Sequence, residues 1–262
     1  MTDTAFKGEV SLDAWLDRHH VKRVRTMATD LDGFALGKYC AREKFTKGLP
    51  IGHNLADVAL GSDSESTPHL GFWHSFRRNV IGDIALSPDL STLVPDGQDP
   101  DLGHVICDFT FLDGRAISLC PRTKLKQQVQ KLDDLGLSVK CTFELEFFLF
   151  DNSFDDAERK QYQNLSPVGA SPLQTIYLLK DSFRAVTFMN QVLSRLEAFG
   201  IPWEAWNDEN GIGQIELNLV PDEPVVMADR VVRAKQIIFE TEQRVNEAKI
   251  KITALENKLK VH

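Results

Sequence analysis

The chain has 262 residues, 42% hydrophobic and 26% charged, enough to bury a sizeable core in one large domain or two smaller ones. Its formal net charge of −8, without a dense lysine and arginine block, argues against a phosphate-backbone partner, so no nucleic acid is expected. No apolar run approaches the ~20 residues that span a bilayer, and no membrane partner is expected.

The opening MTDTAFKGEVSLDAW lacks a basic region followed by an apolar stretch, so it shows no secretory leader. Within it, SLDAWLDRHH (11–20) predicts a helix with an N-cap serine and helical spacing of Leu12, Trp15 and Leu16. VKRVRTMATD followed by LDGFALGKYCA predicts a strand, a turn and a return strand. GFALGK is a turn, not a phosphate loop, because only three residues separate its glycines and no Ser or Thr follows the lysine. REKFTKGL predicts a short helix ending at Gly48, residues 62–78 a long loop, HVICDFTF (104–111) a strand and LDGRA a tight turn. The expectation is a small mixed α+β domain over 1–113.

The pattern then changes. PRTKLKQQVQKLDDLG predicts a helix that starts at Pro121 and stops at Gly136. ELEFFLFD (144–151), which follows SVKCTF, has the length and residue types of a buried strand. A loop is expected over 152–174, one amphipathic helix over about 181–199, and a strand–turn–strand unit around Asn210-Gly211-Ile212-Gly213. From Val225 the rest is one long helix. Cys40, Cys107, Cys120 and Cys141 form no close pair and read as reduced thiols, mostly buried, which points to a cytoplasmic protein.

The strand carries a puzzle. Its side-chain period of two puts Glu144 and Glu146 on one face, where burial would cost several kcal/mol per charge without a positive partner. The late hairpin adds Glu204, Asp208, Glu209 and Glu216. Glu209 and Glu216 are seven residues apart across a glycine-containing turn, a spacing that allows them to sit opposite each other. Two acidic strand elements suit a hard divalent cation with oxygen ligands, or a solvated face with an arginine such as Arg122 nearby. No serine sits in a nucleophile elbow and no cysteine has an evident histidine partner, which disfavours covalent catalysis.

The order of these segments resembles the glutamine synthetase family, in register from about Val21 to Phe239. TDLDGFALGKY with REKF resembles the family's opening hairpin, GDIALSPDLSTLVP (82–95) its "D…PD.ST" stretch, and CDFTFLDGRAISLCPRTKL its passage into the catalytic domain. FELEFFLFD is similar to the E-x-E-F metal strand, and WEAWNDENGIGQIEL to the strand pair ending in G-Q-x-E. The resemblance implies an α+β fold: a β-grasp domain over 1–113, then a partial catalytic domain over 114–262 with a curved antiparallel sheet, ending in a long helix. Matched by position, Glu146, Glu209 and Glu216 are implied ligands of one Mg2+ or Mn2+, Glu144 of a second, and Glu204 a neighbour of ATP. The implied reaction phosphorylates the γ-carboxylate of glutamate, after which an amine, ammonia or a polyamine, displaces the phosphate. A homo-oligomer is implied as well.

Two departures shape the expectation. Where the family's glutamine synthetases carry a D-G-S-S loop, this chain has VALGSDSES (58–66), which favours an amine larger than ammonia. Past Phe239 the family continues with a metal-binding histidine, arginines and a last metal-binding glutamate, whereas this sequence runs ETEQRVNEAKIKITALENKLKVH. An incomplete, weakly active or inactive ligase is expected, with a non-catalytic scaffold or oligomerisation protein as the alternative. In that last helix Val231, Ile238, Val245, Ile252 and Leu259 recur every seven residues, with Ala234, Thr241, Ala248 and Leu255 three beyond each of the first four. This a/d pattern is able to pair with another chain or to pack as core.

Overall fold

A computed structural model of the protein describes residues 4–62, 67, 81–168 and 176–259; the side chains of 180–181 and of positions past 243 are not among those described. The long loop expected over 62–78 lies almost wholly outside these residues, as do positions 63–66 of the VALGSDSES stretch. Contacts divide the chain into two compact units, Met1–Lys140 with Ala198–Gly200 and Glu223–Val232, and Cys141–Glu197 with Ile201–Asp222 and Arg233–His262.

The first unit is built on the expected hairpin. Strand β1 (Arg23–Thr29) pairs antiparallel with β2 (Ala35–Ala41), and Gly37 lies opposite Met27. A Cβ at Gly37 would fall 1.8 Å from the Thr26 carbonyl oxygen, so only glycine permits the strands this close an approach. Helices α1 (Leu12–Arg18) and α2 (Arg42–Gly48) flank the hairpin, and Ser11 caps α1 by accepting from Ala14 N at 3.2 Å. The sheet is completed by β3 (His53–Ala56), β4 (Asp83–Pro88), β5 (Val94–Pro95) and β6 (Leu102–Thr110). Its order is β2-β1-β6-β4-β3, with β5 paired to β6, and β6 runs parallel to β1. The apolar run of β6 is explained by that central place: almost all of it is buried, with Val105, Cys107 and Phe109 inaccessible among Leu16, Phe45 and Leu86.

Helix α3 (Pro121–Asp134) follows the sequence signals at both ends. Pro121 occupies its first turn, and Gly136 at φ +72° ends it with Leu137 N on Leu132 O and Gly136 N on Asp133 O. Its Arg122 is 8% exposed and spends every guanidinium nitrogen on carboxylates. Nε and Nη2 hold Asp229 at 2.8 Å each, Nη2 also holds Asp89 at 2.8 Å, and Nη1 reaches Asp108 at 3.2 Å. Asp89, from the "PD.ST" stretch, also accepts from Ser91 Oγ at 2.6 Å. This locks the turn after β4, strand β6, α3 and the start of the last helix around one cation.

In the second unit a three-stranded antiparallel sheet, β7 (Glu144–Phe148), β9 (Gln214–Leu219) and β8 (Trp203–Asp208), runs in the order β7-β9-β8. Ile215, Leu217 and Leu219 bury one face of β9. Two expectations need correction. The loop expected over 152–174 contains a helix, α4 (Phe154–Arg159), capped by Ser153 Oγ on Asp156 N at 3.2 Å; at six residues it is too short to show periodicity. The single helix expected over 181–199 is two, α5 (Leu179–Ser182) and α6 (Val186–Ala198), because Ser182 Oγ and Leu178 N are both drawn to the Asp208 carboxylate.

The last helix, α7, runs Pro224–Leu259. Ala234, Ile237 and Thr241 are buried, and the buried Arg195 of α6 donates to Ile237 O and Thr241 Oγ1 at 3.1 Å and to Glu240 at 2.5 Å. The d positions Ala234 and Thr241 are thus core, while the a positions Val231 and Ile238 are half-buried. The stripe beyond Gln243 lies outside the described side chains. All four cysteines are free thiols, three of them buried. Among the described residues no helix is long and apolar enough to cross a membrane.

Candidate functional site

Alternation along β7 brings Glu144 and Glu146 to one face, both exposed, and turns half-buried Leu145 and Phe147 to the other. There Phe147 meets Phe188 of α6, ring centroids 6.3 Å apart. The buried strand expected from this apolar run is only half-buried on its apolar face, and its acidic side lies open. Glu144 and Glu146 consequently escape the burial penalty.

Register assembles the rest. Glu146 pairs with Glu216 on β9, and Glu216 with Asn207 on β8, so these three share one row. In the next row Glu144 pairs with Asn218. Glu209 lies two residues beyond Asn207, and its N–H donates to Gln214 O at 3.0 Å. Glu209 and Glu216 thus share a face but do not stand opposite each other. The turn over residues 210–213 aligns Glu209 with Gln214 and leaves Asn207 facing Glu216.

Facing carboxylates at Glu146 and Glu216 repel, and neutral amides offset the repulsion. Gln214 Nε2 donates to Glu146 at 2.6 Å while its Oε1 accepts from Gly211 N at 2.8 Å, so one side chain ties the turn to the strand. Asn218 Nδ2 donates to Glu216 at 2.8 Å and Asn207 Nδ2 to Glu209 at 3.1 Å. Among the described residues no lysine or arginine pairs with Glu144, Glu146, Glu209 or Glu216, and Arg122 is committed to its three aspartates. The donor set, carboxylates and amide carbonyls only, fits a hard divalent cation. Among the described residues no three acidic, histidine or cysteine groups are yet drawn into a coordination sphere, since each of these three glutamates is turned toward its amide.

Glu204 sits apart, exposed at the bulge where β8 slips register between Trp203 and Ala205. Asp208 faces away from the acidic row and anchors the 177–182 segment. That segment carries Tyr177, which the sequence does not single out. Tyr177 is 67% exposed at φ +60°, with its N–H on Asp208 O at 3.4 Å. The charge of Glu209, some desolvation, and then the charges of Glu216 and Glu144 push its phenol above the ordinary range. Three of the four glutamates are thus within electrostatic reach of one phenol. No local sequence signal marks a tyrosine in left-handed backbone.

Residues 118–249 match the family model for the glutamine synthetase catalytic domain. The chain is similar to a glutamate–isopropylamine ligase of Pseudomonas sp., 29% identical over 86% of this chain and 49% of the relative. It is also similar to a γ-glutamylethanolamide synthetase of Streptomyces coelicolor, 24% identical over 77% of this chain and 43% of the relative. A Plasmodium falciparum glutamine synthetase structure shares the fold, with TM-score 0.66 and 22% identity over 94% of this chain and 50% of that one. The chain spans about half the length of the curated relatives it matches. A catalytic-domain match across half the chain, on the α+β fold and acidic strand pair described above, makes this protein a member of the glutamine synthetase family of ligases.

Proposed function

We propose that this chain supplies the acidic, metal-binding face of an ATP-dependent glutamate–amine ligase. The observation that carries the reading is one sheet face with four glutamates that have no basic partner among the described residues, inside catalytic-domain sequence. In this reading 1–113 form the β-grasp portion and 114–262 the incomplete catalytic portion of a homo-oligomer. The relatives named for isopropylamine and ethanolamide support an acceptor amine larger than ammonia.

Glu146, Glu209 and Glu216 would hold one Mg2+ or Mn2+ and Glu144 a second, supplying positive charge against ATP phosphates and the developing transition-state charge. Glu204 would lie beside the nucleotide. Gln214 and Asn218 aim the two facing carboxylates, and Asp208 fixes the segment that holds Tyr177 near Glu209. The reaction passes the γ-phosphoryl of ATP to the glutamate γ-carboxylate. The amine nitrogen then attacks the acyl carbon, phosphate leaves and the nitrogen loses a proton. Phosphoryl transfer needs its cations and arginines together, so the chain alone is expected to ligate weakly or not at all.

The amide-satisfied glutamates favour a second reading, a non-catalytic scaffold. Phosphate release from ATP, with glutamate and ammonia, isopropylamine, ethanolamine or a polyamine, read beside Mn2+ binding, separates the two. Metal bound by these glutamates with little turnover is the expected result. Brisk amine-dependent turnover contradicts the incomplete-enzyme reading, and absence of both signals leaves the scaffold.

A further inference from the structure

A second site lies in the first unit, formed from residues other than the acidic face. Strands β2 and β3 are the two edges of the six-stranded sheet, and the Lys38 ammonium reaches across to donate to the Asn54 carbonyl. Between them, roofed by α2, is a cavity of about 530 Å³ lined by Lys38, Tyr39, Cys40, Lys44, His53 and Asn54 among others. Its electrostatics are one-sided. Among the described residues neither Lys38 nor Lys44 is paired with a carboxylate. His53 is 4% exposed, and neither of its ring nitrogens has a hydrogen-bond partner among the described residues.

A buried imidazole with neither nitrogen satisfied is costly, and buried polar groups are rarely left so. We propose that this cavity binds an oxyanion, the phosphate or carboxylate group of a small metabolite, held by Lys38, Lys44 and an N–H of His53. Free orthophosphate fills a fraction of such a space, whose volume is that of an ordinary small-molecule pocket, so the anion is carried on a larger body. Tyr39 provides a wall for that body, its ring faced by the Arg25 guanidinium at 5.5 Å.

The groups around His53 set the pH behaviour. Lys44 and Phe45 approach from α2, Lys38 and the Cys40 thiol from β2, and Leu86 from β4 as its register partner. Asp83 of β4 is taken up by the Asn54 amide at 3.1 Å. Burial, then the charges of Lys44 and Lys38, hold the ring below the ordinary histidine range, so the empty cavity disfavours its charged form. An anion accepting its N–H favours the imidazolium, so binding takes up a proton and tightens as pH falls.

Calorimetric titration of the full chain tests this. Sulfate, whose charge is constant between about pH 5 and 8, reports the pH dependence. Orthophosphate, glycerol phosphate and succinate distinguish free phosphate, phosphomonoester and dicarboxylate as sources. The expected result is one saturable site, about tenfold tighter near pH 5 than near pH 8, a tenfold change being about one unit of histidine pKa shift. Lys44→Gln, at an exposed position, should weaken it about tenfold, the loss of one charge-assisted hydrogen bond. His53→Gln should flatten the pH dependence. No heat with any of the four anions, or binding indifferent to Lys44→Gln, overturns the proposal.

Discussion

Which side chains answer a carboxylate decides what it is for. Arg122 shows the structural case, in which three aspartates surround one cation and nothing remains to bind an ion. Glu146, Glu209 and Glu216 show the other, in which neutral amide groups alone answer the carboxylates. Tyr177 reports on that difference. Its phenol is raised chiefly by Glu209, so Glu209→Gln should bring it back toward the ordinary tyrosine value. Ultraviolet difference titration of the three tyrosines should show the last one to ionise move down in the variant. An unmoved final step would place Tyr177 away from the acidic face. Glu144 and Glu146 were legible in the sequence because alternation along a strand needs no knowledge of its partners. The amide partners were not, because they depend on a register fixed by a four-residue turn and a bulge.

Elements with strong end signals were also legible. Pro121 and Gly136 bound α3 as the sequence implies, and Ser11 opens α1. The α5–α6 break was not, since it depends on Asp208, 26 residues from Ser182 in the chain. Three predictions belong at this scale. Burial opposes ionisation of Asp89, but Ser91, Arg122 and Lys126 outweigh it and hold its carboxyl below the ordinary range. The folded state therefore binds this proton less readily than the unfolded chain does. The stabilisation is full above the ordinary carboxylate value of about 4 and is lost as pH falls through the lowered folded value. Denaturation midpoints should drop on acidification through that window, and less so in Asp89→Asn. Arg122→Met should cost about 3–5 kcal/mol at neutral pH by leaving Asp229 without its cation and Asp89 and Asp108 with Lys126 alone; a change under about 1 kcal/mol, the worth of a surface pair, would show that Arg122 does not hold these elements together. Gly213, at φ +78°, closes the turn that aligns Glu209 with Gln214. A Cβ there would lie 2.8 Å from Pro167 Cβ and 2.9 Å from Leu149 O. Gly213→Ala should cost about 1–3 kcal/mol and weaken metal binding through lost register, read by chemical denaturation and Mn2+ titration. Unchanged values in both would remove the turn from the account.

At the scale of the whole molecule, the chain carries about half the length of its relatives and a family-matched catalytic region. It places the acidic strands together, β7, β9 and β8 pairing within one compact unit. The central claim is that this face binds a divalent cation. Electron paramagnetic resonance titration of the 262-residue chain with Mn2+ tests it most directly. Saturable binding is predicted, weakened at least about tenfold by Glu146→Gln or Glu216→Gln, about 1.4 kcal/mol or more per lost charged ligand, with denaturation midpoints unchanged or higher as facing-charge repulsion is relieved. Failure to bind Mn2+ saturably, or binding indifferent to both substitutions, would contradict the account.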